Sequence, residues 1–436
     1  MRWSALAALT GICLAAAGLA AAPPAGAPSQ GWRDTALASF DAAWQTINDT
    51  FPDPKFGGID WAAVSKELRP RVESAASADA ARGVIREMLA RLKRSHFVLM
   101  SATAETALPG SASVPADVRI HGGEVIVTRV TDPAATTAGL VAGQALLKID
   151  GTDVAPVIGR AQGTDDRTRN LDAWRLVNQL IYGTDESVAV LSVRDADGRR
   201  HDVRVTRTVA AGEMVTLGNL PPLRATLEQR EARTPGGRRA GVIWFSVWLT
   251  PITERFEQAI DRFRSMDGLV IDLRGNPGGL AAMMRNLSGH FVDRPLLLGK
   301  MQTRQAELSF TVNPRFSTSD GRSVKPFAGP VAILIDELTG STSETFVGGH
   351  QSLGRVKVFG RPSMGQALPA LTRRLPNGDV LMYAIGDFVT STGKRLEGDG
   401  VIPDTMVPLS VQALAAGKDE PLDAALRWFD TAGRRP

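Results

Sequence analysis

The stretch ELTGSTSETFVGGH, Glu337 to His350, places four hydroxyl side chains within five positions: Thr339, Ser341, Thr342 and Ser343. It follows the apolar run VAILID at 331–336. A strand that runs into a helix start leaves the first helical N–H groups unpaired, and Ser or Thr is an ordinary cap for them. The same junction also suits acyl transfer. A serine there can attack a carbonyl while the unpaired N–H groups hold the oxyanion. Spacing alone leaves both readings open. A second junction of this kind is DLRGNPGG, Asp272 to Gly279. Its glycines let a carbonyl oxygen approach the main chain closely. It matches neither a G-x-G-x-x-G fingerprint nor a P-loop, which argues against a nucleotide.

A serine nucleophile needs a base. The histidines are at 96, 121, 201, 290 and 350. His350 would lie about 13 Å further along the same helix from Ser341, at roughly 1.5 Å per residue, and cannot serve it. His121 and His201 read as surface residues of a β-rich region, and His290 as the edge of a helix. His96 stands in LARLKRSHFVLM, where a helix gives way to an extended apolar stretch. A lone histidine there is more often structural, although Ser95 beside it can orient its ring.

The elements that must position these groups are legible as patterns. Residues 31–100 repeat apolar positions at helical spacing. Residues 101–118 are rich in Ala, Ser and Pro and read as a linker. A small β-rich region follows, with a hairpin around Asp195, Asp197 and Gly198 and an amphipathic helix in NLDAWRLVNQLIYG. The stretch 209–239, with RTPGGRR, reads as a second linker. Beyond it the pattern becomes α/β: AGVIWFSVW, GLVIDL, VAILID and VKVFG as strands, and TPITERFEQAIDRFRSM as a helix capped by Thr250, with Ile252, Phe256, Ile260 and Phe263 on one face. Asn377-Gly378 marks a further hairpin.

Bulk properties narrow the classes. The 436 residues are 43% hydrophobic and 22% charged, with a net charge of +4 and no basic stripe, which disfavours nucleic acid as a partner. The opening MRWSALAALTGICLAAAGLAAAPPAGA has the charge, apolar stretch and small-residue sites of a secretory signal peptide, here 1–26, so a periplasmic or secreted protein is expected. Its apolar part falls short of the ~20 residues that span a bilayer. Cys13 is the only cysteine and would leave with the signal. A cysteine mechanism and a Cys-based zinc site are thereby excluded.

In order along the chain, GIDW, the pattern V-x-V-x-x-V…AGL-x-x-G…L-x-IDG, GLVIDLRGNPGG, GSTSETFVGG, VFGRPSMGQ and EGDGVIPD resemble peptidase family S41, the tail-specific or C-terminal-processing serine peptidases. The resemblance implies an α/β fold with a crotonase-like peptidase core at 240–430, a PDZ-like domain at 110–208 and an N-terminal helical region at 30–104. It places the nucleophile at Ser341, two residues before Ser343 in an S-x-S-E pattern, and the oxyanion hole at the N–H groups of Gly278 and Thr342, with Gly279 close by. The Ser–Lys members carry lysine in a G-K-G segment, where this chain has Gly365-Gln366-Ala367, and glutamine cannot act as a base. The tricorn-like branch instead uses a histidine with an adjacent serine and a C-terminal glutamate. Ser95, His96 and Glu397 match that set. Glu397 also reads as an ordinary loop carboxylate paired with Lys394 or Arg395, and Lys394 is a remote alternative base. The family implies no metal or organic cofactor, polypeptide substrates, and a PDZ-like groove that takes a peptide by strand addition through its C-terminal carboxylate. Gln144 replaces the acid usual in its AGL-x-x-GD turn. Two other classes remain: an inactive family member that binds peptides, and an acyl-CoA enzyme on the same core, which a PDZ-like module and a secretion signal do not suit.

Overall fold

Both junctions sit on one six-stranded sheet. Its order is Leu227–Arg233, Arg239–Phe245, Gly268–Asp272, Val331–Ile335, Lys357–Gly360 and Thr405–Met406 in the computed structural model, which describes residues 31–102, 110–163, 165–220 and 222–432. The segment read as a signal peptide lies outside the described residues. The first pair of strands is antiparallel and the rest are parallel. Strands 268–272 and 331–335 are buried at every position, as a parallel sheet covered on both faces requires. A period of two divides their side chains. Ile243, Phe245, Leu269, Ile271, Ile333 and Ile335 pack with helices Thr250–Phe263, Ala281–Ser288 and Thr342–Ser352. Val242, Val270, Ala332 and Leu334 pack with the C-terminal helix Glu420–Thr431. On helix 250–263, Ile252, Phe256, Ile260 and Phe263 have no exposed surface, each worth about 2 kcal/mol of burial. Thr250 is not its cap: Leu249 holds that position, and Thr250 and Pro251 form the first turn.

Two stretches expected as linkers turn out to be structured. Within 209–239, Glu213–Val215 pairs with Leu223–Ala225, and Leu227–Arg233 is the edge strand of the main sheet. Its sequence, LEQREAR, is mostly exposed, so the apolar signal that marks a buried strand is missing. Within 101–118, Ala112–Ser113 and the start of Ala116–His121 are strands. Gly122 and Gly123, at φ +57° and +76°, turn the chain directly into Glu124–Val130. That hairpin opens a six-stranded sheet ordered 116–121, 124–130, 145–149, 188–194 and 200–206, with the short strand Thr152–Asp153 pairing 145–149 off this path, packed on helix Asp166–Ile181. Gln144 is buried there. Its amide donates to Gly139 O and Asp195, and accepts from Val141 N, so it replaces an acid without losing the turn.

The N-terminal helices Trp32–Thr50, Trp61–Glu73 and Ala78–Ala90 bury Phe40, Ile47, Leu68, Ile85 and Met88 together with Leu368, Leu375, Leu381 and Ala384 from the far end of the chain. Strand Val98–Met100 adds to the hairpin Ala370–Arg374/Val380–Ala384, with Val98 opposite Met382. Asp379 fixes this seat. Fully buried, it pairs with Arg82 (2.9 Å) and accepts the N–H of Ala102 (2.8 Å).

Candidate active site

Three of the four hydroxyls in 339–343 are already committed. Thr339 Oγ1 donates to Leu273 O (2.8 Å), Thr342 Oγ1 to Gly279 O (2.7 Å) and Ser343 Oγ to Asn276 Oδ1 (3.0 Å), while Ser343 also accepts from Trp248 Nε1 (2.8 Å). All three residues are buried, whereas Ser341 keeps part of its surface open. Ser341 stands at the cap of helix 342–352 with φ +51° and ψ −117°. A side chain in this sparsely populated region costs about 1–3 kcal/mol, which the surroundings must supply. They do so through its N–H, which donates to both Gln366 O (2.9 Å) and Glu344 Oε2 (3.0 Å).

The glycine turn packs directly on this serine. A Cβ on Gly278 would lie 2.7 Å from Ser341 Cβ, so only glycine fits. Asn276 ties the two junctions together: its main-chain O accepts from Gly340 N (3.0 Å), and its Oδ1 accepts from Gly278 N (3.0 Å). The expected oxyanion donor Gly278 therefore already spends its N–H on Asn276. The N–H of Gly279, which is exposed, and that of Thr342 have no acceptor among the described residues. These two are the donors the turn leaves available. The sequence carried the signal, since an asparagine commonly caps the N–H two residues on.

Ser95, His96 and Glu397 meet across some 300 residues of chain. Ser95 Oγ lies 2.7 Å from His96 Nδ1 and donates to Glu397 Oε2 (2.9 Å), and Glu397 Oε1 accepts from Ser95 N (2.8 Å). With the Ser95 proton on the carboxylate, its Oγ must accept from His96. That fixes the tautomer with the proton on Nδ1 and a lone pair on Nε2. His96 itself sits at φ +60°. Burial, with Arg175 nearby, pushes its imidazole down to about 4, so it is neutral at pH 7. Glu397 is buried and is not paired with Lys394 or Arg395; Arg395 binds Asp387 instead. From the module, Arg167 donates to Gly398 O (2.7 Å) and Asp399 O (3.0 Å), bracing the adjoining loop.

Gly365–Ala367 separates the two halves: Gln366 bonds to Ser341, and Ala367 N donates to Glu397 Oε2 (3.0 Å). No hydrogen bond joins Ser341 to His96 among the described residues, and such bonds commonly tighten only with substrate present. In the sequence Glu344 is only the last residue of the S-x-S-E pattern. It is fully buried, and burial pushes its carboxyl up to about 7 against four hydrogen bonds that pull it down. The other histidines are elsewhere. His121 is exposed and His201 lies beside Asp195. His350 is buried with Nε2 on Ser288 Oγ (2.9 Å). His290, expected at a helix edge, is fully buried with neither ring nitrogen bonded. No group of three His, Cys, Asp or Glu suited to a metal occurs among the described residues.

A partly open serine on a helix cap, free N–H groups beside it and a neutral, oriented imidazole are the parts of an acyl-transfer site. The description "Peptidase family S41" matches residues 239–407, and "Tricorn protease C1 domain" matches 34–90. The tricorn protease homolog 2 of Streptomyces coelicolor is 27% identical over 424 residues, 92% of this chain and 32% of its own, so the chain spans about a third of that relative's length. The chloroplastic carboxyl-terminal-processing peptidase 3 of Arabidopsis thaliana is 21% identical over 377 residues, 83% of this chain and 67% of its own. Among solved structures, mature CPAF superposes with a TM-score of 0.62 at 14% identity, covering 92% of this chain and 99% of that one, a likeness of fold. The S41 match takes in both junctions and the Gly365–Glu397 region, and the tricorn match ends just before Ser95 and His96: the chain belongs to peptidase family S41.

Proposed function

We propose that the chain is a serine endopeptidase of the Ser–His, tricorn-like kind, acting on unfolded or C-terminal segments of polypeptides in the periplasm or outside the cell. The observation that carries the reading is the Ser95–His96–Glu397 chain, held one main-chain segment away from Ser341. In this mechanism His96 Nε2 takes the proton of Ser341 Oγ as the oxygen attacks the scissile carbonyl. The N–H groups of Gly279 and Thr342 hold the oxyanion. His96 then protonates the leaving amine, and water repeats the sequence to release the acyl group. Ser95 and Glu397 hold the tautomer and support the imidazolium. On this reading the main sheet is a crotonase-like core, and the 116–206 module is PDZ-like and presents the substrate tail.

The test is labelling of the folded protein by a fluorophosphonate. Wild type and Ser343→Ala should label, and Ser341→Ala and His96→Ala should not. A second reading, an inactive member that binds peptides, is favoured by one observation: Gln366 stands where other members carry lysine. Silence of wild type toward the probe, with and without saturating peptide, would establish that reading instead.

A further inference from the structure

We propose that Glu344 and the main chain of Gly365–Ala367 form a positioning strap that locks the Ser341 turn and the His96 chain into a single geometry. The proposal rests on the Ser–His reading above and names what holds its two halves in register.

Two buried carboxylates grip consecutive residues of the strap. Glu344 Oε1 accepts from Gly365 N (2.7 Å) and Ser363 Oγ (2.5 Å), and its Oε2 accepts from Gln366 N (3.0 Å) and from Ser341 N (3.0 Å). The next N–H, that of Ala367, goes to Glu397 Oε2, the same oxygen that takes the Ser95 proton. The strap also returns bonds to each side. Gln366 O accepts from Ser341 N, and Gly365 O accepts from Gly398 N (2.9 Å). Ser363 Oγ accepts from Val401 N (2.7 Å), tying in the chain beyond Glu397. A single peptide unit therefore separates the donor that serves the nucleophile's carboxylate from the donor that serves the histidine's. Glu344 has no exposed surface, so a donor that loses it finds no water in its place. Four N–H and O–H groups converge on two oxygens. A side chain with only one acceptor oxygen cannot satisfy them, and the strap must shift. Because Ala367 follows immediately, Glu397 and with it Ser95 and His96 shift as well.

The test is Glu344→Gln, which keeps the side chain's shape and removes one acceptor oxygen. Steady-state rates on a peptide that wild type cleaves should show kcat lower on the order of 10²-fold, as for a misplacement near 1 Å, with KM within about threefold. Hydrogen–deuterium exchange gives a readout independent of activity. Amides at 341–345 and 363–367 should exchange faster, and so should those at 95–97, which Glu344 does not touch. The reciprocal variant Glu397→Gln should loosen 341–345. Faster exchange confined to 341–345 and 363–366, with 95–97 as in wild type, would overturn the proposal, as would kcat within twofold of wild type. If Glu344→Gln does not fold, Ser363→Ala, which removes one donor to Glu344, should give the same exchange pattern at smaller amplitude. Wild type silent to the fluorophosphonate would overturn the Ser–His reading, while the exchange pattern still decides whether the strap couples the halves.

Discussion

The two halves of the candidate site are built in opposite ways. The nucleophile half is local to one sheet. Asp272–Gly279 and Thr339–Glu344 leave adjacent parallel strands, Gly268–Asp272 and Val331–Ile335, in the same direction. Their turns interlock through Asn276, Ser343 and Trp248, and each turn is readable as a motif. The histidine half has no motif of its own. Ser95 and His96 follow the third N-terminal helix and reach Glu397 only because strand Val98–Met100 adds to the hairpin 370–384 and Asp379 pins Arg82 and Ala102. The candidate nucleophile is thus specified by a short stretch, while the proposed base, some 245 positions away, depends on a whole packed surface. The first half should tolerate loss of remote contacts, and the second should not.

The sharpest way to break this contrast is at the serines. Ser341→Ala should abolish turnover, on the order of 10⁴-fold or more, with thermal stability close to wild type, since alanine keeps the main-chain N–H that bonds Gln366 O and Glu344 Oε2. His96→Ala should lose a comparable amount. Remote damage comes next. Arg82→Ala leaves Asp379 buried without its partner and should cost about 3–5 kcal/mol, read by denaturant unfolding. If the histidine half depends on packing as described, the folded fraction of this variant should retain the Ser341 environment but label slowly. Labelling at the wild-type rate would dissolve the contrast. Ser343→Ala should still label, but it leaves Trp248 Nε1 without an acceptor and should lose about 1–3 kcal/mol.

The mildest expected effect is on acid stability. His96 and His290 are held down to about 4 and His350 to about 3, all chiefly by burial. A histidine whose folded value is depressed contributes stability that is present above its unfolded value of about 6.5 and is lost as pH falls. Glu344, raised to about 7, acts in the other direction: its contribution is present below the ordinary carboxylate range and is lost as pH rises through 7. Three histidines outweigh one glutamate, so the thermal midpoint should decline between pH 6.5 and 4. His290→Leu should flatten part of that decline, and a midpoint independent of pH would show that these rings are not buried neutral.

Legibility followed the same division. The four inner strands of the main sheet are readable because they are largely buried, and the hairpin at Asn377-Gly378 because its turn chemistry is local. Strand Leu227–Arg233 was not readable, because an exposed edge strand pairs through its main chain and shows no apolar pattern. Ser95, His96 and Glu397 could be named only through likeness to a family, since nothing in LKRSHFV separates this histidine from a structural one. Gly278 was named as a donor from its position in the motif, but its N–H is spent on Asn276 and the free one is its neighbour's. Nothing within S-x-S-E marks Glu344, because burial and convergent donors, which define its place, are not properties of a stretch of sequence.

By itself, then, the sequence determined the inner strands of the main sheet, the two glycine- and hydroxyl-rich junctions and the candidate serine at the second, because periodicity, turn residues and capping are short-range physics. Only the tertiary structure decided which hydroxyl stays open, which N–H remains free and which histidine faces a carboxylate. Those depend on which groups burial has already paired, and that pairing exists only once distant segments have packed.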